Sequence, residues 1–226
     1  MGTSKGYIAP TKGEWTKSKR AVTRMINGSI SEELPHVIRK YASAVSIDSD
    51  FANVFSNATA NLLGISREIR VNGLENTLIE HDKAYLIGKS AKEIWDELFD
   101  EYSYGGSTKE EALANDALSK AINNLEIETI DDLVNCNQES LLKELLACFA
   151  YILFAFIYEE QINKKKSPEQ TNSIMKEVEK YIRSIVFNNV DISHLKDSDF
   201  INISDSRVVK DVVDDTYNIM KNYYGE

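Results

Sequence analysis

The sequence predicts an all-α fold: a single multi-helix globular domain (residues 14–226) behind a flexible N-terminal arm (residues 1–13). Three observations carry this. The 226 residues contain only three prolines and ten glycines, too few for a turn-rich β architecture. Apolar residues recur at three-, four- and seven-residue spacings along most of the chain, the period of helices with one buried face. Helix-start signatures, Ser or Thr followed three residues later by Glu or Gln, occur at Ser90/Glu93, Thr108/Glu111 and Ser167/Gln170. A chain of this length can bury a sizeable core without disulfides.

The arm shows no apolar period, and Gly2, Gly6, Pro10 and Gly13 interrupt any helix there. A first helix is expected over residues 14–26, burying Trp15, Val22 and Ile26, with Asn27-Gly28 as its stop. A second follows with Pro35 in its first turn and a face of Val37, Ile38, Tyr41 and Val45. Asp48 or Ser49 caps a third, bearing Phe51, Phe55, Ala58 and Leu62. Asn72-Gly73 starts a short segment through Leu74, Leu78 and Ile79, and Gly88 breaks the chain after it. The Ser90 box opens a helix with Ile94, Trp95, Leu98 and Phe99 inward, ended by Gly105-Gly106. The Thr108 box opens another, whose Ala114, Ala117, Leu118, Ala121 and Ile122 favour close packing.

A long helix over residues 139–163 is polar at both ends and apolar between, as a central helix should be. Lys164-Lys165-Lys166 complements its C-terminal dipole. The Ser167 box, with Pro168 in the first turn, opens a helix lined by Ile174, Val178, Tyr181, Ile182 and Ile185. Residues 188–204 read as a linker, in which Val190 and Ile192 form a short extended piece. A last helix over residues 205–224 buries Val209, Val212, Val213, Met220 and Tyr223, with Asp211, Asp214 and Asp215 on a solvated face.

Charge limits the function classes. The chain carries −10, but residues 1–24 carry +5, so the body carries −15. An acidic body repels phosphates, which argues against nucleic-acid binding. The longest uncharged apolar run, residues 145–158, falls short of the ~20 residues a bilayer core requires, so no membrane span is expected. Residues 1–10 have no apolar core and read as no secretory signal. Gly6 stands where a myristoylation motif places Ser or Thr. Two cysteines, Cys136 and Cys148, give neither a disulfide framework nor paired zinc ligands, and fit a cytoplasmic protein.

The search for chemistry finds little. His36, His81 and His194 share no ligand spacing, and no metal or cofactor is expected. His81-Asp82 are adjacent, and adjacent helical residues point apart. Glu159-Glu160 close an apolar run. The chain therefore reads as no enzyme; a hydrolase reading would need His81 or Glu159 to act. The N-terminus is the exception. Trimming of Met1 exposes the Gly2 α-amine, whose pKa of about 7.7–8.0 leaves about a tenth of it uncharged and nucleophilic at neutral pH, far more than for a lysine near 10.4. An arm with Gly2 and Gly6 is slim enough to enter a narrow pocket.

Several stretches together resemble one family. They are Met1-Gly2-Thr3-Ser4 with Pro10 and Trp15, Leu86-Ile87-Gly88-Lys89-Ser90-Ala91, and Gly105-Gly106-Ser107-Thr108 followed by Glu111-Ala112 and Ala117-Leu118. Phe156-Ile157-Tyr158-Glu159 and Glu179-Lys180-Tyr181-Ile182 complete the set. In this order they resemble the QatB proteins of the bacterial Qat anti-phage system. Two positions depart from the pattern: Lys109 or Glu110 replaces an Asp at the Gly-rich helix start, and Lys180 replaces an Arg before the Tyr-Ile pair. The resemblance implies a non-enzymatic component of a defence complex that accompanies an ATPase, a QueC-like enzyme and a TatD-like nuclease. It further implies that the QueC-like enzyme activates a deazaguanine carboxylate with ATP and that the Gly2 amine attacks it. Thr3, Ser4, Lys5 and Gly6 are then the segment the partner recognises. The alternative is a helical regulatory or immunity-type binding module with no modification.

Overall fold

The computed structural model describes residues 13–46, 50–102, 108–193 and 207–223. Among the described residues it contains ten α-helices and no strand. They are α1 (Gly13–Asn27), α2 (Ile30–Val45), α3 (Asp50–Asn72), α4 (Leu74–Glu80), α5 (Ala91–Tyr102), α6 (Lys109–Asn124), α7 (Ile130–Asn135), α8 (Gln138–Asn163), α9 (Pro168–Asn189) and α10 (Arg207–Asn222). A 3₁₀ turn, Ala84–Leu86, joins α4 to α5.

All three expected capping boxes form. Ser90 Oγ accepts from the Glu93 N–H, and the Glu93 carboxylate accepts from the Ser90 N–H. Thr108 with Glu111 and Ser167 with Gln170 make the same reciprocal pair. A fourth box, Thr129 with Asp132, opens α7, a helix absent from the sequence reading. Asp replaces Glu at its third position, and six residues are too few to show a helical period.

Three further differences have physical causes. Gly13 is the first residue of α1 and not part of the arm. Pro35 sits in the second turn of α2, because the helix begins earlier, at Ile30. Ile30 and Leu34 share the core-facing stripe with Val37, Ile38 and Tyr41, and their burial offsets the one ladder bond that Pro35 cannot donate. Of the adjacent apolar pair in α4, Leu78 fills the core and Ile79 is 55% exposed. The expected cap at Asp48 or Ser49, the side chain of Phe51 and the Gly105-Gly106 stop lie outside the described residues. α9 runs to Asn189, so the extended stretch begins at Val190; Val190 and Ile192 are buried without forming a strand.

One hydrophobic core runs through the body, with α8 at its centre. α6 and α9 pack along α8, α1 on α2, α2 on α10, and α3 on α6 and α10. Tyr41 anchors the middle: its hydroxyl donates to the Ala150 carbonyl at 2.8 Å. The rings of Phe154 and Tyr217 meet it edge-on at 5.3 and 6.1 Å. Phe55 stacks on Phe149 at 4.0 Å, joining α3 to α8. Aromatic pairs of this kind add about 0.5–1.5 kcal/mol each beyond the area they bury.

α8 is long and apolar enough to cross a membrane by length and composition, with a mean hydropathy of 1.9 over its most apolar 18 residues. The sequence count stopped at residues 145–158 because it admitted no charge. In the fold, 67% of that 18-residue window is buried against the other helices, as befits a core helix.

Candidate functional site

The arm residues singled out by the sequence, Gly2, Thr3, Ser4, Lys5 and Gly6, lie outside the described residues. Their attachment point is described. Trp15, 1% exposed, sinks the first turn of α1 into the core. Tyr158 of α8 donates its hydroxyl to Ser18 at 2.6 Å, with both groups buried. Gln161 donates to the Thr23 hydroxyl at 2.9 Å and to the Lys19 carbonyl at 3.3 Å. Lys17 pairs with Glu14 at 2.5 Å, and this hydrogen bond holds the Glu14 carboxyl below its usual range, with Lys40 and Lys221 adding to the effect. Whatever precedes Gly13 therefore leaves from a helix fixed on two sides.

The histidines do not come together. His36 sits half-buried on α2, where burial and then Lys40, Arg24 and Arg39 hold its pKa below the ordinary value. His81 pairs with Glu68 at 2.5 Å, not with Asp82, whose positive φ of 59° turns the chain away. His194 lies outside the described residues. Asp211, Asp214 and Asp215 are all exposed. Glu159 is exposed, and Glu160 pairs with Lys164 at 2.7 Å. Among the described residues no three His, Cys, Asp or Glu side chains are grouped to hold a metal.

One charged cluster does form, and sequence reading missed it. Glu144 of α8 is 0% exposed. Its Oε1 accepts from Asn124 Nδ2 of α6 at 2.7 Å, from the Cys148 thiol at 3.5 Å and from Arg183 Nη1 of α9. Its Oε2 has no hydrogen-bond partner. Lys120 pairs with Glu179 at 2.8 Å beside it, and the Arg183 guanidinium lies 4.6 Å over the Phe187 ring. Outside the pair runs an open groove of about 340 Å³ lined by Asn124, Lys176, Glu179, Lys180 and Arg183. The cluster ties α6, α8 and α9 together. It holds no activated nucleophile, because burial and the Glu144 carboxylate push the Cys148 thiol far above its ordinary pKa. The signal was available: Glu144 falls on the stripe of Leu141, Leu145 and Cys148, and a carboxylate on a buried stripe requires a partner.

The family model described as "Qat anti-phage system associated protein QatB" matches residues 53–220, which carry the chain from the first turn of α3 nearly to the end of α10. No curated protein and no solved structure matches the chain.

Proposed function

Because the chain belongs to the QatB family and is thus a component of the Qat anti-phage system, we propose that it serves there as a non-enzymatic adaptor whose Gly2 α-amine accepts a deazaguanine conjugate. A QueC-like partner activates the deazaguanine carboxylate with ATP. The uncharged amine attacks that carbonyl, the activating group leaves, and an amide joins the two. An ATPase and a TatD-like nuclease are the further partners of this reading.

The observation that carries it is the pairing of a Met-Gly-Thr-Ser start with family membership. Two physical facts support it. An α-amine near pKa 8 is a better nucleophile at neutral pH than any lysine left at its ordinary pKa. The anchorage of α1 through Trp15, Ser18 and Gln161 gives the arm a fixed base on the body.

Intact-mass spectrometry after co-expression with the QueC-like enzyme tests the proposal. The expected result is one added deazaguanine acyl mass on the N-terminal peptide, absent from Gly2→Pro, which has no primary amine. An unchanged N-terminal peptide with an active partner enzyme would sink it. Deleting residues 2–10 separates this reading from a binding module that needs no modification, since the module would protect against phage without them.

A further inference from the structure

We propose that the surface formed by the end of α3, α4 and the 3₁₀ turn is a docking face for a basic segment with apolar anchors, carried by another protein of the same defence system. The inference rests on membership of that system and is independent of the Gly2 acceptor.

Val71, Ile79, Tyr85 and Ile87 are the exposed large hydrophobics of the described residues, at 67%, 55%, 59% and 39%. All four fall between residues 71 and 87. Scattered exposed apolar residues mean nothing, but four on adjoining elements, where the other large apolar side chains of the described residues are buried or half-buried, mark a contact surface. The pattern is built, not frayed. Leu78 and Leu86 are buried pegs, and each is followed directly by an isoleucine that faces out.

The backbone is held firmly. Asn72 donates to Glu80 at 3.4 Å and His81 meets Glu68 at 2.5 Å, which fastens the end of α3 to the end of α4. Tyr85 donates to Glu97 at 2.7 Å and Lys83 pairs with Glu101, which fastens the turn to α5. Gly73, Asp82 and Gly88 take positive φ angles of 82°, 59° and 85°, fixing the corners between these pieces. A face ordered in advance loses little entropy when it is covered.

Charge identifies the occupant. Residues 68–101 contain nine carboxylates against four lysine or arginine cations. Glu75, Glu80 and Asp82 are exposed within the same stretch of chain, and the exposed Glu97 accepts from Tyr85. A second copy of this face would bring acid against acid, and a nucleic acid would bring phosphate against acid. A lysine- or arginine-rich segment with an aliphatic or aromatic anchor satisfies both the apolar centre and the acidic rim.

The test uses the full chain with Val71→Asp/Ile79→Asp and Glu75→Lys/Glu80→Gln, all at exposed positions, the last keeping an acceptor for Asn72, and each checked for an unchanged melting curve. Binding to each of the other system proteins, purified separately, is measured by biolayer interferometry at about 0.1 and 0.5 M salt. One of those proteins should bind the unaltered chain, each double variant should weaken it at least tenfold, and salt should weaken it too. The proposal is overturned if none binds, if the variants bind equally well, or if sedimentation shows the unaltered chain self-associating through this face.

Discussion

Arg183→Met removes the cation from a carboxylate that water does not reach. Taking one partner from a fully buried ion pair costs about 3–5 kcal/mol, because the other charge is left stranded. Arg183 is 43% exposed, so water can follow the deleted guanidinium inward and screen Glu144. The Asn124 bond to Glu144 also persists. The expected cost is therefore reduced to about 1.5–3 kcal/mol. The reverse deletion, Glu144→Leu, is milder: Arg183 and the exposed Asn124 amide can turn to solvent, and the buried Cys148 thiol, a weak donor, also loses its acceptor, at about 0.5–1.5 kcal/mol in all. In the double variant no charge is left stranded, so its stability should match that of Glu144→Leu alone and exceed that of Arg183→Met. Urea unfolding followed by helical circular dichroism gives each value, provided the denaturant slope is unchanged. For a domain this size Arg183→Met should lower Tm by roughly 4–10 °C. An Arg183→Met protein within about 0.5 kcal/mol of the parent, or a costlier Glu144→Leu, would refute the account of the cluster as a charge tie.

His36 and the cysteines give two further expectations. The folded-state pKa of His36 is depressed below 6.5 by burial and then by Lys40, Arg24 and Arg39, so the unfolded chain binds more protons there. Its contribution to stability is present above 6.5 and lost as pH falls through the folded value; His36→Gln should flatten Tm against pH between about pH 5 and 7, and an unchanged slope would contradict this. Burial and Glu144 push the Cys148 thiol upward, while burial raises Cys136 against the opposing effect of Arg70. At about pH 8 a thiol reagent should label Cys136 slowly and Cys148 only after denaturation; prompt native labelling of Cys148 would contradict its burial.

Local signals were legible in the sequence and distant ones were not. A capping box joins residues three apart, so Ser90, Thr108 and Ser167 marked helix starts correctly. The helical period of α6 and α10 named Ala114, Leu118, Val209 and Met220 as core, and all are buried. The same logic does not choose between Leu78 and Ile79, because both are apolar and the packing of α4 on α3 decides which one turns inward. Tyr41 was placed on a buried face, but its bond to Ala150 spans 109 residues, a pairing that no local window contains. The burial of Glu144 is legible on its stripe, but its partners are not: Asn124 and Arg183 lie 20 and 39 residues away, and only the bundle brings them to one oxygen.

The family match and the proposed acceptor occupy different parts of the chain. Residues 53–220 carry the match, and they contain the apolar face at 71–87 and the Glu144 tie. α1, α2 and the arm stand ahead of it. α1 nevertheless contacts the matched body through α8, where Tyr158 holds Ser18 and Gln161 holds Thr23. Both donors sit on the last turns of α8, whereas Glu144 sits near its start, about 20–25 Å away at 1.5 Å per residue. A rigid central helix thus fixes the base of the arm relative to the α6–α9 tie. The proposed chemistry at the arm and contacts on the body can therefore change independently, because the helix between them holds the base of the arm in place.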